Sequence, residues 1–507
     1  MNNTKIQVFL LILVTVIPRL FFMDLIEFKY DEALSAFQTY LFYQQPFLPQ
    51  VGMLASTGMY NFPIFNYLLI IIGIFSRNPQ HLTFMIALIN VVAIVLFYKF
   101  NKKIFGSTIA FLSAITLAFS PWAILFSRKI WAQDLILIFA IPFYYLFFTL
   151  ILSKQTKHLI LMFFLLFILV QLHGSGVFLA LTITILLIIL KIRISFRKVI
   201  LGLSLASTFA LPYIFFEISS NPFCRDCVAF FDYQKTNRLF DAWNLLRSYQ
   251  ILNGSNFQFI LGNDYNHFIN FNPLISPIMY LFTAEFLIII GGIIYFYFLG
   301  KKIYLFLPLM LLVISTFYFL TRTPSYIHYF IIILPIIATF YALSFYSFYH
   351  LKKNRIYQVG IITLFFLFFI AKFFFITQYF QFISQKQNIA GDYGPIFKYT
   401  ENKVNQNLQQ YTLLPQYDEI KKYSYIFINT PIFHPKMADY FITKNYPQYA
   451  IYEYKQAIEA NDKDVYSRVN LAYILIQINK NDDALRQINI LDKIDSTISG
   501  KLKKLLK

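Results

Sequence analysis

Long apolar runs follow one another along the first three quarters of the chain, separated by short polar stretches. A helix that crosses a membrane needs about 20 apolar residues, within a range of roughly 17 to 25. We predict eleven spans of this kind and therefore an all-α polytopic membrane fold. The predicted spans are 6–23, 82–98, 105–126, 130–153, 158–172, 174–190, 198–217, 273–299, 303–321, 326–349 and 356–381.

A further apolar stretch, 62–75, decides the topology because it has only 14 residues. Segments of about 10–14 residues are more often interfacial or re-entrant than spanning. If 62–75 does not span and the N-terminus is cytoplasmic, five short inner loops contain 14 basic residues and no acidic residue. Basic residues concentrate in cytoplasmic loops. We therefore predict a multi-pass protein of the plasma (inner) membrane with a cytoplasmic N-terminus and an extracytoplasmic C-terminus.

This orientation places five polar segments on the outer side of the membrane. They are 24–61, the turns 127–134, 173–176 and 322–328, and the loop 218–272. A Gly-Asp-Tyr-Gly-Pro turn at 391–395 follows the last span and lies on the same side. The polar residues of these segments can therefore converge on one face of the membrane. With twelve spans, the segments before and after 62–75 would lie on opposite faces.

The composition changes after Gln381, where charged residues become frequent and long apolar runs stop. We assign 1–385 to a transmembrane domain. The region 386–445 is an extracytoplasmic linker or a small mixed region, with one strand-like run at 425–428. From 446 to 507 the pattern becomes helical, which predicts a small soluble segment at the end of the chain.

The helical segment has a spacing that resembles a tetratricopeptide repeat. Ala450 and Ala484 occupy similar settings 34 residues apart, which is the period of that repeat. The resemblance covers about 50 residues, fewer than the three repeats that usually fold alone. The segment is either a helical cap on the rest of the tail or a docking surface for a protein partner.

The charge of the chain agrees with a membrane location. Hydrophobic residues make up 58% and charged residues 13% of the chain, whereas a soluble protein carries about 25% charged residues. The net charge of +19, from 43 basic and 24 acidic residues, would suggest a nucleic-acid partner in a soluble protein. Here most of the excess is Lys5 together with the 14 basic residues of the inner loops. The excess is a topology signal, and we expect no nucleic-acid partner.

Two cysteines, Cys224 and Cys227, lie in the loop 218–272. Two thiols exclude a disulfide-rich scaffold and a four-cysteine zinc site. Because thiols tend to oxidise outside the reducing cytosol, we predict a local disulfide that clamps this loop.

The first outer segment carries two adjacent carboxylates, Asp31 and Glu32, and Arg19 lies near the outer end of the first span. Asp134 likewise lies at the outer end of a span. A charge in a span costs about 2.5–3.5 kcal/mol at mid-membrane and less near the interface. Arg19 is therefore a candidate functional residue, with Asp31 or Glu32 as its nearest anion. The alternatives are acids that only face the outer solvent and an arginine that reaches lipid phosphates.

Cationic and imidazole side chains lie in the other outer turns. Arg128 and Lys129 are adjacent in the second, and paired cations suit a phosphate group by charge and by hydrogen bonding. His173 lies in a glycine-rich turn, and Arg322 and His328 flank the turn before the tenth span. Contact with lipid headgroups would explain the same residues without a catalytic role.

The order and sidedness of these motifs resemble the GT-C glycosyltransferases. The shared features are an arginine in the first span, Asp-Glu-Ala at 31–33 in the first outer loop, Ser-Arg at 127–128 followed by a later acid, and a polytopic helical body. The branch that the chain resembles is that of the protein O-mannosyltransferases and the bacterial aminoarabinose transferases. The resemblance covers roughly residues 1–380 and is strongest over 1–134.

The resemblance implies transfer of a sugar from a polyprenyl-phosphate carrier to a protein, lipid or glycan acceptor at the extracytoplasmic face. No cofactor is required by it. A metal-dependent branch exists, but the sequence contains no dense carboxylate cluster that would indicate a divalent ion. The site residues that it implies are the catalytic acids Asp31 and Glu32, the phosphate-binding residues Arg128, Lys129, Arg322 and His328, and the supporting residues Arg19, Asp134 and His173.

The chemistry fits these residue types independently. Displacing a phosphate from an anomeric carbon requires little general acid, because phosphate is already a good leaving group, but it requires cations to hold the departing charge. It also requires a base to take the proton of an acceptor hydroxyl, and we assign that role to Asp31. A single displacement with one base inverts the anomeric centre.

Two other functions stay open from the sequence. An O-antigen polymerase or ligase is also polytopic with a large outer loop, and would depend on Arg225, Arg238 and Arg247 of that loop. A transporter or flippase of lipid-linked sugars would place ionisable groups near mid-membrane, often with an internal repeat. Apart from Lys372 and Glu285 the deep spans lack charges, and no repeat is visible, which disfavours transport.

Overall fold

Helices make up almost all of the structure, a computed structural model that describes residues 3–55, 58–220, 224–226, 228, 240–323 and 326–506. Cys227 lies outside these residues, and with it the predicted Cys224–Cys227 disulfide. Arg238, one of the arginines of the alternative function, lies outside them as well. The chain divides into two compact units, Met1–Lys398 and Tyr399–Lys507.

Apolar helices build the first unit, as the hydrophobic pattern predicts. The unit contains seven long apolar segments and four further apolar helices. The four are the N-terminal helix Asn3–Leu20 and the shorter helices Ser107–Ala118, Leu159–Leu172 and Ser175–Ile189. Each of the eleven predicted spans coincides with one of these helical segments, some of which are divided into shorter helices, and the all-α polytopic fold class is confirmed. The seven segments that are long and apolar enough to cross a membrane are Pro79–Phe105, Ala132–Ser153, Phe196–Ser219, Ile275–Phe298, Lys302–Leu320, Ile327–Leu351 and Arg355–Ser384.

The described helices of this unit can be numbered in chain order. They are α1 (Asn3–Leu20), α2 (Tyr30–Gln44), α3 (Ile64–Ile72), α4 (Pro79–Phe105), α5 (Ser107–Ala118), α6 (Pro121–Leu125), α7 (Ile136–Ser153), α8 (Leu159–Leu172), α9 (Ser175–Ile189), α10 (Phe196–Ser207), α11 (Leu211–Ser219), α12 (Asn244–Gln250), α13 (Gln258–Leu261), α14 (Tyr265–Ile269), α15 (Ile275–Ala284), α16 (Phe286–Phe298), α17 (Phe306–Leu320), α18 (Leu334–Leu351) and α19 (Arg355–Ser384). Short 3-10 segments lie at Met23–Leu25, Ala132–Leu135, Thr208–Ala210, Gly262–Asp264, Lys302–Leu305 and Ile327–Ile333.

The stretch 62–75 contains only α3, which has 9 residues. At 1.5 Å per residue α3 is about 14 Å long, whereas the hydrocarbon core of a bilayer is about 30 Å thick. Asn66 in α3 donates a hydrogen bond to the Val51 carbonyl over 3.1 Å, so α3 is tied to the preceding loop. Its length does not support the twelve-span alternative.

The predicted span 105–126 is broken into α5 and α6. The Ser120 hydroxyl accepts a hydrogen bond from the Ala123 amide at 3.2 Å, and Pro121 occupies the first turn of α6. A side-chain cap followed by proline is a typical helix start. The same hydroxyl donates to the Ile251 carbonyl over 2.7 Å. The chain just before the second outer turn is therefore bonded to the large outer loop through Ser120 and Ile251.

After α19 the chain forms a short hairpin. Strands β1 (Asn388–Ile389) and β2 (Gly394–Pro395) pair antiparallel. Gly391, near the tip, packs against the backbone of the large outer loop, because a Cβ added there would lie 2.2 Å from the Ile260 carbonyl oxygen. Glycine is needed at this position, and the close approach fixes the hairpin tip.

The second unit is a series of helices. They are α20 (Phe397–Asn407, which begins two residues before the unit), α21 (Tyr417–Phe427), α22 (Phe433–Thr443), α23 (Pro447–Ala460), α24 (Val465–Gln477), α25 (Asn481–Asp492) and α26 (Ser496–Leu505), with a 3-10 turn at Gln409–Tyr411. The strand-like run predicted at 425–428 is wrong, because most of it lies in α21. Ile420 and Ser424 are both buried there, and a spacing of four residues is that of a helical face.

The last four helices pack against one another in chain order. The last three of them, α24, α25 and α26, share a core that contains Ala472, Ile488, Leu491 and Leu502. The helical prediction for the end of the chain is therefore confirmed. The finer resemblance to a tetratricopeptide repeat stays a prediction.

Candidate active site

The first turn of α2 holds the two predicted acids in different settings. The backbone N–H of Lys29 donates to Glu32 Oε2 at 3.0 Å, the return bond of a capping box. Glu32 is therefore buried beneath the helix terminus. Asp31, one residue earlier, lines a cavity instead.

This cavity has a volume of about 370 Å³. Each of the five predicted outer segments contributes to its wall, and so does the tip of the hairpin. Among the lining residues that the structure describes, none is a lysine or an arginine. The polar and aromatic lining includes the carboxylates Asp31 and Asp392, the imidazoles His173 and His328, and the rings of Trp131 and Tyr326.

A larger cavity, of about 890 Å³, lies between α1, α5, α18 and α19. Its wall is mostly phenylalanine, leucine and isoleucine, and its described lining contains no carboxylate. Of the two cavities, only the smaller one has carboxylates in its described lining.

The Asp31 carboxylate is half-buried in the wall of the polar cavity. Burial raises the pKa of Asp31 above its usual value, although the Lys29 ammonium and a hydrogen bond from Trp131 oppose the rise. A carboxylate with a raised pKa is a stronger base. Burial raises the pKa of Glu32 as well, but Glu32 does not line the cavity. Of the two predicted acids, Asp31 is the one placed to take a proton.

Lys129 is buried behind the cavity wall in a network of charges. Its ammonium forms an ion pair with Glu27 and lies 4.9 Å from the centre of the Trp131 ring. Glu27 also binds Lys29, with Nζ and Oε1 2.6 Å apart, and the Lys29 ammonium donates to the backbone carbonyl of Asp392. Burial would lower the pKa of Lys29, but Glu27 and the other nearby carboxylates outweigh it and raise that pKa. The network ties three outer segments together.

The Arg128 guanidinium is buried and bound to the end of α1. Its N–H groups donate to the carbonyls of Pro18 (2.9 Å), Phe21 (2.6 Å) and Phe22 (2.6 Å). It also lies 4.5 Å from the centre of the Phe380 ring. Burial lowers the pKa of Arg128 to about 10. Arg128 thus caps carbonyls that a helix terminus leaves unsatisfied, and it does not line the cavity.

Arg19 and Asp134 are also buried and bind the backbone. Arg19 Nη1 donates to the Ala118 carbonyl over 2.9 Å, in place of the acidic partner suggested by the sequence. Asp134 Oδ2 accepts a hydrogen bond from the Lys129 amide at 2.9 Å, and the Asp134 carbonyl accepts one from Asn90. Arg19 therefore joins α1 to the end of α5, and Asp134 supports the second outer turn; neither residue lines the cavity.

Of the four predicted phosphate ligands, His328 alone lines the cavity. Its ring centre lies 5.0 Å from that of Trp131 and 5.6 Å from that of Tyr326. The ring of His173 is 5.9 Å from that of His328, and burial lowers the pKa of His173 to about 4. Arg322 is exposed and lies outside the described lining.

Sequence reasoning assigned no role to two residues of this site, Asp392 and Glu27. It placed the turn of Asp392 on the same side of the membrane as Asp31, but nothing in the pattern indicated that the two carboxylates line the same cavity. Glu27 lies four residues before Asp31, but its importance depends on Lys129 lying opposite. Neither relationship is contained in a local pattern.

The two described arginines of the alternative function, Arg225 and Arg247, do not line this cavity. Arg225 packs 5.4 Å from the centre of the Tyr60 ring, and Arg247 forms an ion pair with Asp241. Within the described ranges, no group of three or more His, Cys, Asp or Glu residues is placed to hold a metal ion. The expectation that the reaction requires no metal stays a prediction.

Comparisons with known proteins agree with the fold and with part of the sequence. Residues 62–216 match the family dolichyl-phosphate-mannose-protein mannosyltransferase. No curated protein matches the chain by sequence, and neither the family match nor the structural similarities bear on the tetratricopeptide resemblance.

Solved structures with a similar fold include the oligosaccharyltransferase of Archaeoglobus fulgidus in complex with zinc and sulfate. Its TM-score is 0.50 at 14% identity, and the similarity covers 83% of this chain and 57% of that one. ArnT from Cupriavidus metallidurans in the apo state has a TM-score of 0.49 at 10% identity, covering 94% of this chain and 81% of that one. The same protein bound to undecaprenyl phosphate has a TM-score of 0.47 at 10% identity, covering 94% and 80%.

The chain thus spans little more than half the length of the archaeal enzyme. Its resemblance to the GT-C type is confirmed: residues 62–216 are similar to the dolichyl-phosphate-mannose-protein mannosyltransferases, and its fold is similar to that of the Archaeoglobus fulgidus oligosaccharyltransferase.

Proposed function

We propose that this membrane protein is a glycosyltransferase that moves a sugar from a polyprenyl-phosphate donor to an acceptor hydroxyl. The observation that carries the proposal is the position of Asp31. Its carboxylate lines a polar cavity, and burial raises its pKa. The basic inner loops favour placing this cavity at the extracytoplasmic face.

In the proposed reaction the acceptor oxygen forms a new bond to the anomeric carbon as the bond from that carbon to the phosphate oxygen breaks. The bonding electron pair leaves with the phosphate. The acceptor proton passes to the Asp31 carboxylate. Attack from the side opposite the phosphate inverts the anomeric centre.

The departing phosphate needs positive charge or hydrogen-bond donors nearby. His328 lines the cavity, and Arg322 is exposed on the segment that leads to it. The Lys129 ammonium does not line the cavity, but it lies 4.9 Å from the centre of the Trp131 ring, which does. Its positive charge can therefore act on a phosphate in the cavity without contact. We assign direct phosphate contact to His328 and Arg322 and long-range stabilisation to Lys129.

Two further observations support the donor class. The match over residues 62–216 is to a family that uses dolichyl-phosphate mannose, which is a polyprenyl-phosphate sugar. A structure of ArnT, which has a similar fold, contains undecaprenyl phosphate.

The direct test is Asp31→Asn in purified protein, assayed for sugar transfer from polyprenyl-phosphate donors. We expect turnover to fall by at least about 100-fold, the lower end of the usual contribution of a general base. Asp24→Asn is the matched control, because Asp24 is an exposed acid of the same segment, 3.9 Å from Lys398. Near-normal turnover of Asp31→Asn would refute the assignment.

Mass spectrometry of lipids that copurify with the protein tests the donor without a known acceptor. A polyprenyl phosphate, with or without a sugar, is the expected result.

An Arg247→Gln variant distinguishes the alternative enzyme class. A loss of transfer in Arg247→Gln, with Asp31→Asn still active, would favour a polymerase or ligase that depends on the large outer loop.

A further inference from the structure

His173 is held in one orientation by the turn that contains it. It follows the last residue of α8, and Ser175 begins α9. A Cβ on Gly176 would lie 2.5 Å from the Leu169 carbonyl oxygen, so the two helices approach as closely as their backbones allow. The turn therefore has little freedom to reorient the imidazole.

The hydrogen bonds of this turn define which nitrogen of His173 carries a proton. The backbone N–H of Ser175 points at Nδ1 over 3.2 Å, and the Ser175 hydroxyl lies 2.8 Å from the same nitrogen. A backbone N–H can only donate, so Nδ1 must accept and carries no proton. The ring is then neutral, with its single proton on Nε2.

The surroundings of the ring agree with a neutral state. Among the described residues, the titratable rings that pack against it are those of His328 and Tyr329, with ring centres 5.9 Å and 5.1 Å away. Neither supplies a negative charge at neutral pH. Burial disfavours the imidazolium and lowers the pKa of His173 to about 4.

We propose that His173 is a donor-binding residue that contributes a neutral Nε2–H group, and not a positive charge, to an oxygen atom of the lipid-linked sugar in the polar cavity. The oxygen belongs either to the phosphate or to a sugar hydroxyl. This inference rests on the proposed function, because it takes the lipid-linked sugar as the ligand of the cavity. The tautomer itself follows from the geometry of the turn alone.

The tautomer can be measured without any substrate. Nitrogen-15 NMR of histidine-labelled protein in lipid bilayers distinguishes the two neutral tautomers and the imidazolium. The His173 signals are identified by their loss in His173→Gln. We expect the neutral Nε2–H form at pH 7. The Nδ1–H form or an imidazolium would overturn the inference, whatever the activity of the protein.

Two variants then test binding. In His173→Gln the side-chain amide nitrogen lies close to the position of Nε2, so a neutral donor is retained. In His173→Asn the shorter amide lies near the position of Nδ1, where it can accept from Ser175 but cannot donate to the cavity. We expect the KM for the donor to stay within about threefold of wild type in His173→Gln and to rise about tenfold in His173→Asn, as for the loss of one hydrogen bond. Equal effects of the two variants, or none, would overturn the inference.

Inhibition by polyprenyl phosphate without a sugar identifies the oxygen. If inhibition weakens in His173→Asn as much as the donor KM rises, the contact is to phosphate. If inhibition is unchanged, the contact is to the sugar. The proposed function fails separately, if wild-type protein transfers no sugar while the NMR result still gives the Nε2–H form. If one of the two variants does not fold, the other still identifies the His173 signals in the wild-type spectrum, because both variants lack His173.

Discussion

Lys129 of the second outer turn forms a buried ion pair with Glu27 of the first outer segment. Both side chains are almost fully inaccessible to solvent, at 2% and 1% exposure. Glu27 also binds Lys29, whose ammonium contacts Asp392 in the hairpin after the last span. One carboxylate thus joins two cations, and the network holds together the segments that form the cavity wall.

The first prediction concerns the stability of this pair. Glu27→Gln removes the counter-charge of Lys129 and leaves a buried ammonium, which costs about 3 to 5 kcal/mol in comparable pairs. We expect a clearly lower apparent Tm in detergent, measured by intrinsic fluorescence.

The double variant Glu27→Gln, Lys129→Met is the control for this prediction. It removes both charges, so we expect it to be more stable than Glu27→Gln alone. The single variant Lys129→Met completes the comparison. A loss of stability in the double variant equal to the sum of the two single losses would contradict a direct interaction.

The second prediction concerns the pH dependence of transfer. Asp31 must be ionised to accept a proton, so kcat/KM falls on the acid side as the pH passes through the pKa of Asp31 in the free enzyme. Lys29 lowers that pKa and Asp392 raises it. Lys29→Met should therefore move the acid limb of the profile to higher pH, and Asp392→Asn should move it to lower pH.

The opposite directions make this prediction specific, because a general loss of structure would not shift the two profiles apart. Asp24→Asn should leave the limb in place. Shifts of the same sign in Lys29→Met and Asp392→Asn would show that the acid limb belongs to a group other than Asp31.

The third prediction concerns the close approach of the hairpin to the large outer loop. In Gly391→Ala the new Cβ would lie 2.2 Å from the Ile260 carbonyl oxygen and 2.3 Å from the Gly262 amide nitrogen. Both neighbours are backbone atoms, so the hairpin must move and carry Asp392 with it. We expect a loss of about 1 to 3 kcal/mol and a reduced rate of transfer.

Gly360→Ala is the matched control, since a Cβ there meets no described atom within 4 Å. Gly360 lies inside α19, where alanine is favoured over glycine by up to about 1 kcal/mol. We expect an unchanged or slightly higher Tm and unchanged transfer. A Gly391→Ala protein that behaved in the same way would show that the hairpin tip is not constrained.

The fourth prediction concerns a buried pair far from the cavity. Lys372 Nζ lies 2.6 Å from Glu285 Oε1, and both side chains are fully buried. Glu285 also accepts hydrogen bonds from Tyr341 (2.7 Å) and Asn253 (3.0 Å). Lys372→Met should destabilise the protein by about 3 to 5 kcal/mol, because it leaves Glu285 without a counter-charge. Tyr341→Phe removes one hydrogen bond and should cost about 1 kcal/mol. Thermal unfolding of the two variants gives the ranking, and the reverse order would contradict a charged pair.

The positions of the helices could be predicted from the sequence because spanning is a local property. About 20 consecutive apolar residues favour a membrane helix wherever they occur, and each of the eleven predicted spans corresponds to one or more helices. The sequence also shows that 62–75 is too short to favour a span, and this stretch contains only the nine-residue helix α3. The run at 425–428 failed because a few alternating apolar residues do not distinguish a strand from one face of a helix.

The partners of the charged residues were decided only by the tertiary structure. Charge and position alone gave Arg128 and Lys129 the same phosphate-binding role, yet Arg128 caps α1 and Lys129 pairs with Glu27. Lys29 and Asp392 are 363 residues apart in the chain and in contact in the structure. The length of the apolar runs determines which segments are helical, and the basic residues of the loops predict on which side of the membrane those loops lie. Which carboxylate meets which cation depends on how those loops pack, because an ion pair requires two side chains within a few ångströms and no spacing along the sequence encodes that distance.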